Sequence, residues 1–191
     1  MNFDDRRFDH RKMDMLMGAD RRARWNPSTF INRFDIRPGA SVLDLGSGPG
    51  FWTFPLADKV GAQGTVWALD VSQEMLDELA KRNPPKQVRL LQSELPKIDL
   101  PDSSFDLIWM AFVFHEVTPP QKLAEEIFRL AKTEGVAAVL DWRPDAVGEG
   151  GPPRHHRLSV EQVSGFLRQA GFRSVEKAWQ DDDAYLIEAR R

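Results

Sequence analysis

The run Val42-Leu43-Asp44-Leu45-Gly46-Ser47-Gly48-Pro49-Gly50 constrains this chain more than any other feature. Its first four residues read as a short buried strand, and the three glycines behind them form a turn where a ligand can approach the backbone closely. A strand that runs into such a turn and leaves as a helix is the nucleotide-binding corner of an open α/β sheet, at the carboxyl end of its strands. The helix is expected over about residues 51–60, with Pro55 disturbing its first turns.

The remaining chain keeps the same alternation. Residues 65–69 read as a second strand, and Ser72 can cap a helix that carries Met75, Leu76, Leu79 and Ala80 inward. Strands follow at 88–91 and 105–111. Pro119 and Pro120 open a helix burying Leu123, Ile127, Leu130 and Ala131, which Gly135 is expected to stop before a fifth strand at 136–140. Ser159 with Gln162 is a capping-box signature, and its helix should bury Val163, Phe166, Leu167 and Ala170 and end at Gly171. Strands near 174–179 and 184–189 close the chain, with Asp181-Asp182-Asp183 as a polar hairpin turn. This order predicts a Rossmann-like, doubly wound α/β fold. Its seven-stranded sheet is mostly parallel, with an antiparallel last strand and helices on both faces.

A length of 191 residues fits one domain, with a helical cap over 1–38 and a core over 39–191. The cap places Met13, Leu16 and Met17 on one face and Phe30, Ile31 and Phe34 on another. With no cysteine, thiolate metal sites and cysteine nucleophiles are excluded, and no metal is expected. That composition fits a reducing cytoplasm. No apolar run approaches the ~20 residues of a membrane span, and the charged N-terminus has no signal region behind it. A net charge of −3 argues against nucleic acid as a partner. The early bases Arg6, Arg7, Arg11, Lys12, Arg21, Arg22 and Arg24 are interleaved with Asp4, Asp5, Asp9, Asp14 and Asp20, which reads as a solvated face.

The chemistry turns on which nucleotide the glycines receive. A dinucleotide fingerprint needs glycine where Phe51 stands, and a P-loop needs a lysine that is absent. Pro49 has no N–H to give a phosphate, and Asp44 would repel one. S-adenosylmethionine has the opposite charge pattern, a sulfonium and an ammonium with no phosphate. Asp70 ends the second strand twenty residues after Gly50, where a carboxylate can accept from ribose hydroxyls.

Val42 to Thr53 resembles motif I of the class I S-adenosylmethionine-dependent methyltransferases. Ala68-Leu69-Asp70-Val71-Ser72 resembles their acidic second motif, and Leu100-Pro101-Asp102-Ser103-Ser104-Phe105-Asp106-Leu107-Ile108 the stretch entering their fourth strand. Gly171-Phe172 is similar to the end of a late helix in the family. The resemblance covers roughly residues 25–191 and is greatest to small bacterial proteins related to the quinone-biosynthesis C-methyltransferases. It implies a cofactor site of Asp44, Gly46, Ser47, Gly48, Gly50, Asp70, Val71, Glu94, Leu95 and Ala111. Ser93-Glu94-Leu95 departs from the family, which has glycine and then an acid there; Glu94 would reach the adenine with a longer arm.

Transfer of a sulfonium methyl is an in-line displacement, so alignment and exclusion of water supply much of the rate. The acceptor is expected to be a small molecule near residues 111–116. Met110-Ala111-Phe112-Val113-Phe114 lacks the Asn/Asp-Pro-Pro-aromatic box of amino-methylating enzymes. His115 is the candidate acid–base, with Glu116 and Asp141 as carboxylates able to raise its pKa. The loop over 144–157 should cover the acceptor side, where Arg143, Arg154, His155 and His156 could hold an anion. Two other readings stand beside methyl transfer: a non-catalytic S-adenosylmethionine-binding regulatory module, and an NAD-dependent oxidoreductase.

Overall fold

Alternating apolar segments become alternating strands and helices in the computed structural model, which describes residues 10–148 and 150–191. The early residues Asp4, Asp5, Arg6, Arg7 and Asp9 lie outside the described residues. Two compact units divide the chain after Glu94. The seven strands make a mixed sheet that is mostly parallel, with the last strand antiparallel to its neighbours.

The first unit opens with a 3₁₀ stretch His10–Met17 and two short helices, α1 (Ala19–Arg24) and α2 (Pro27–Ile31). Proline in the first turn and the Asn26 side chain, which accepts the Ser28 N–H at 3.0 Å, start α2. Phe30 and Ile31 are buried, and the Phe30 ring meets Trp52 edge-on. Next come β1 (Ser41–Leu45), α3 (Thr53–Val60), β2 (Thr65–Asp70), α4 (Gln73–Lys81) and β3 (Val88–Gln92). β2 pairs in parallel with β1 and with β3. α3 starts two residues after the expected point because turns occupy Gly48–Trp52. Pro55 then falls in its first turn, where an amide has no intrahelical acceptor, so the helix is undisturbed. α4 buries Met75, Leu76 and Leu79 but leaves Ala80 exposed, because its apolar stripe ends at Leu79.

The second unit holds β4 (Phe105–Ala111), α5 (Pro120–Leu130), β5 (Ala131–Trp142), α6 (Val160–Ala170), β6 (Ser174–Gln180) and β7 (Ala184–Arg190). α5 ends at Leu130, not at Gly135, and the chain passes directly into β5. Gly135 instead lies where β5 irregularly joins β4: a Cβ there would sit 2.9 Å from the Phe105 carbonyl oxygen. Arg129 fixes the stretch before β4. It donates to the carbonyls of Ile98 at 2.9 Å and Leu100 at 2.8 Å, and pairs with Glu126 and Asp102.

The capping box forms, with Ser159 and Gln162 exchanging side-chain and backbone bonds of 3.3 and 2.9 Å. α6 buries Val163, Ser164 and Leu167, while Phe166 and Ala170 stay half-buried. The acidic triplet does more than turn the hairpin. Asp181 accepts the amides of Asp183 and Ala184, whereas Asp183 is buried and accepts the Gly148 N–H at 2.7 Å. It thereby ties the segment after β5 to the β6–β7 turn. Among the described residues no helix is long and apolar enough to cross a membrane.

Two substitutions separate these local devices. Ser159→Ala should cost about 1 kcal/mol in urea unfolding without changing the m-value. Asp183→Ala should cost about 1–3 kcal/mol and also open residues 144–157 to limited proteolysis, because the half-buried Gly148 amide loses a charged acceptor. Unchanged proteolysis at that segment would show that Asp183 does not hold it.

Candidate active site

β1 delivers the chain into the glycine turn, and the turn's amides are consumed by the protein itself. Gly46 and Ser47 both donate to the Leu69 carbonyl, at 2.8 and 2.9 Å. Gly48 donates to Asp70 Oδ2 at 2.8 Å, Pro49 has no N–H, and Gly50 donates to the Ser47 carbonyl at 3.1 Å. A phosphate needs a cradle of unengaged N–H groups, and residues 46–50 present none. Gly48 and Gly50 hold φ of 52° and 97°, left-handed values that disfavour a side chain. A Cβ on Gly48 would sit 3.6 Å from Leu16 Cδ1, so the N-terminal 3₁₀ stretch lays a leucine on the turn.

Two carboxylates stand at this corner. Asp70 Oδ1 accepts the Ser72 N–H at 3.0 Å while Oδ2 takes Gly48, and Ser72 caps α4 through the Met75 N–H. Burial raises the Asp70 pKa, against the pull of backbone bonds from Ser72, Gly48 and Val71. Asp44 is 1% exposed, and its Oδ2 accepts the Thr53 hydroxyl at 2.6 Å. Burial pushes its pKa up to about 7; the Thr53 hydrogen bond lowers it and the charge of Asp70 raises it. Sequence reasoning placed Asp44 at a ligand cation but missed Thr53 as its partner.

Ser47 is buried at 3% exposure, and its Oγ has no hydrogen-bond partner. Buried hydroxyls are ordinarily bonded, so this one is available to a bound group. Two acids, an unpaired hydroxyl and no amide cradle suit a cationic nucleoside with donor hydroxyls. They do not suit a phosphate. Val71 is half-buried, Glu94 exposed, Leu95 half-buried and Ala111 buried.

The second unit carries His115. Phe112, just past β4, adopts φ of 64°, a left-handed conformation a bulky residue rarely takes, while its N–H donates to the Leu140 carbonyl at 2.7 Å. His115 follows in a 3₁₀ turn, Phe114–Glu116, and is 5% exposed. Asp141, fully buried on β5, holds it twice: Oδ1 lies 2.7 Å from Nδ1, and Oδ2 accepts the His115 N–H at 3.0 Å. Oδ1 also accepts the Trp142 N–H at 2.8 Å. The other ring nitrogen, Nε2, lies 3.9 Å from Glu116 Oε1. Burial alone would lower the His115 pKa, but the charge and hydrogen bond of Asp141, with Glu116, raise it against a smaller opposing effect of Arg157.

The bases offered for an anionic acceptor are largely engaged within the loop itself. Arg143 grips Asp145 with bonds of 2.9 and 2.6 Å and donates to the Asp181 carbonyl, and Arg154 donates to the Ala146 carbonyl. The rings of His155 and His156 pack on each other at 4.1 Å. Arg157, which the sequence did not single out, organises the loop. It is buried, lies over the Trp142 ring, and donates to the carbonyls of Arg143, Gly150 and Pro152. A basic run gives no sign of which arginine turns inward. Among the described residues no group of His, Asp and Glu is placed to hold a metal ion.

Comparison with known proteins agrees with this chemistry. A family model described as a methyltransferase domain matches residues 42–135. The demethylmenaquinone methyltransferase of Anoxybacillus flavithermus is 28% identical over 141 residues, 72% of this chain and 59% of that protein. The ubiquinone/menaquinone biosynthesis C-methyltransferase UbiE of Burkholderia mallei is 32% identical over 140 residues, 69% of this chain and 56% of that protein. The chain thus spans under two thirds of the length of these relatives. The crystal structure of a SAM-dependent methyltransferase from Aquifex aeolicus matches with a TM-score of 0.87 and 34% identity, over 96% of this chain and 99% of that one. With the fold shared over 96% of its length with a methyltransferase 34% identical to it, and a turn that suits a cationic nucleoside, this chain belongs to the S-adenosylmethionine-dependent methyltransferases.

Proposed function

We propose that the chain transfers a methyl group from S-adenosylmethionine to a small-molecule acceptor, with His115 as its acid–base group. The observation that carries the reading is the glycine turn, whose amides are all engaged beside two carboxylates and an unpaired Ser47 hydroxyl. When bound, the cofactor supplies an electrophilic methyl group. Asp70 has lone pairs beyond those that accept from backbone amides, and these accept from the ribose hydroxyls. Asp44 balances the positive charge of the methionine end, and Ser47 adds a hydrogen bond. Gly46, Gly48 and Gly50 leave room for the ligand, Val71 packs against it, and Glu94 reaches the adenine amino group.

His115 is arranged as an oriented base. Asp141 accepts the proton on Nδ1, which leaves Nε2 to exchange a proton with the acceptor. Its raised pKa means the free base appears only as the pH climbs through that value. Relatives named for demethylmenaquinone and ubiquinone/menaquinone methylation support a small-molecule acceptor, so demethylmenaquinone-like compounds are the first to assay. The cytoplasm is the compartment we assign, since a cysteine-free chain is suited to it.

Calorimetry should show S-adenosylmethionine and S-adenosylhomocysteine binding without metal, and NAD not binding. Asp70→Ala should weaken the cofactor by about 1–3 kcal/mol, and Gly48→Val by more. Normal affinity in a folded Gly48→Val protein would move the ligand elsewhere.

Turnover should fall toward acid pH as His115 becomes protonated. His115→Ala should lower kcat about 10²–10⁴-fold with little change in cofactor affinity. Asp141→Asn removes the charge that raises the His115 pKa, so the acid limb of the pH–rate profile should move to lower pH. An unshifted limb in that variant would take the proton-transfer role away from His115. Cofactor binding with no product across an acceptor screen would favour a regulatory module.

A further inference from the structure

Thr53, the first residue of α3, is fully buried, and its hydroxyl is committed to Asp44. Threonine in a first helical turn can turn its hydroxyl to solvent or to the backbone. This one donates at 2.6 Å to a carboxylate that is itself 1% exposed. An ionised carboxylate so placed is costly, and a second carboxylate nearby makes it costlier. Asp70 is that second group, anchored by Gly48 and Ser72. Against burial and Asp70, which raise Asp44 to about 7, the Thr53 hydrogen bond is the opposing interaction. Valine would fill the same space without a buried polar group, so packing alone does not account for a threonine.

Resting on the reading that this turn binds S-adenosylmethionine, we propose that Thr53 is a positioning residue for the cofactor's ammonium end. By donating to Asp44 it holds that side chain as a carboxylate for the incoming cation, and cofactor binding is thereby coupled to release of the Asp44 proton to solvent. The sign follows from the charges. Burial and Asp70 hold the Asp44 pKa up to about 7 in the ligand-free protein, and a bound ammonium favours the carboxylate, so affinity rises as the pH rises through about 7.

The test uses two ligands that share adenosine and differ at the ammonium. S-adenosylhomocysteine has it, and 5′-methylthioadenosine does not. For the unaltered protein, S-adenosylhomocysteine affinity should increase about tenfold between pH ~6 and ~8, as a group titrating near neutrality requires. Calorimetry near pH ~6.5 in two buffers of different ionisation enthalpy should show proton release. Binding of 5′-methylthioadenosine should be flat with pH. Thr53→Val should weaken S-adenosylhomocysteine about tenfold at neutral pH, with recovery at higher pH, and should leave 5′-methylthioadenosine within about twofold. Thr53→Ser should restore the original profile. Equal weakening of both ligands, or an unmoved pH profile in Thr53→Val, would make Thr53 a packing residue and overturn the proposal. Absence of proton release in the unaltered protein would overturn it even if Thr53→Val failed to fold. Failure of the unaltered protein to bind either ligand at any pH would instead remove the methyltransferase reading beneath it.

Discussion

The Asp70 carboxylate holds two backbone amides, those of Gly48 and Ser72, and through them the glycine turn and the entry to α4. The shape of this corner depends on that interaction. The Gly48 amide, which a phosphate-binding loop would aim at its ligand, is turned onto a side chain of the protein. With Gly46, Ser47 and Gly50 bonded to main-chain carbonyls, the turn is built as a rigid shelf and not as an anion trap. What it offers a ligand is negative charge and one unpaired hydroxyl, which selects for a cationic nucleoside.

A second buried carboxylate plays the corresponding part in the other unit. Asp141 satisfies the backbone and ring of His115 and the Trp142 amide at once. A carboxylate so thoroughly bonded can be kept in a dry interior, and its field is then felt strongly by the imidazole beside it. The left-handed Phe112 shows that the chain accepts backbone strain to bring the turn carrying His115 into place.

The segment after β5 illustrates how charge is redirected by folding. Four basic residues look like a receptor for an anion when read in line. In three dimensions Arg143 and Arg154 bond within the segment and to the hairpin turn, and Arg157 knits three carbonyls together over Trp142. Asp183 fastens the same segment from the other side. Arg143 is thereby paired with Asp145, while the guanidinium groups of Arg154 and Arg157 are spent on main-chain carbonyls.

The sequence by itself determined the alternation of strand and helix, the capping box at Ser159, the glycine turn, and the preference for a sulfonium cofactor over a phosphate. These follow from local periodicity, from backbone demands of single residues and from formal charge, all of which act over a few positions. His115 with Asp141 was legible only as a possibility, since the two are far apart in the chain. Tertiary structure alone decided that α5 stops at Leu130, that Gly135 serves strand pairing, that Thr53 is the partner of Asp44, and which arginine turns inward. Each of these is settled by burial and by which polar groups meet across the fold. An amide or a guanidinium must find its acceptor wherever packing leaves one, and no local pattern encodes where that is.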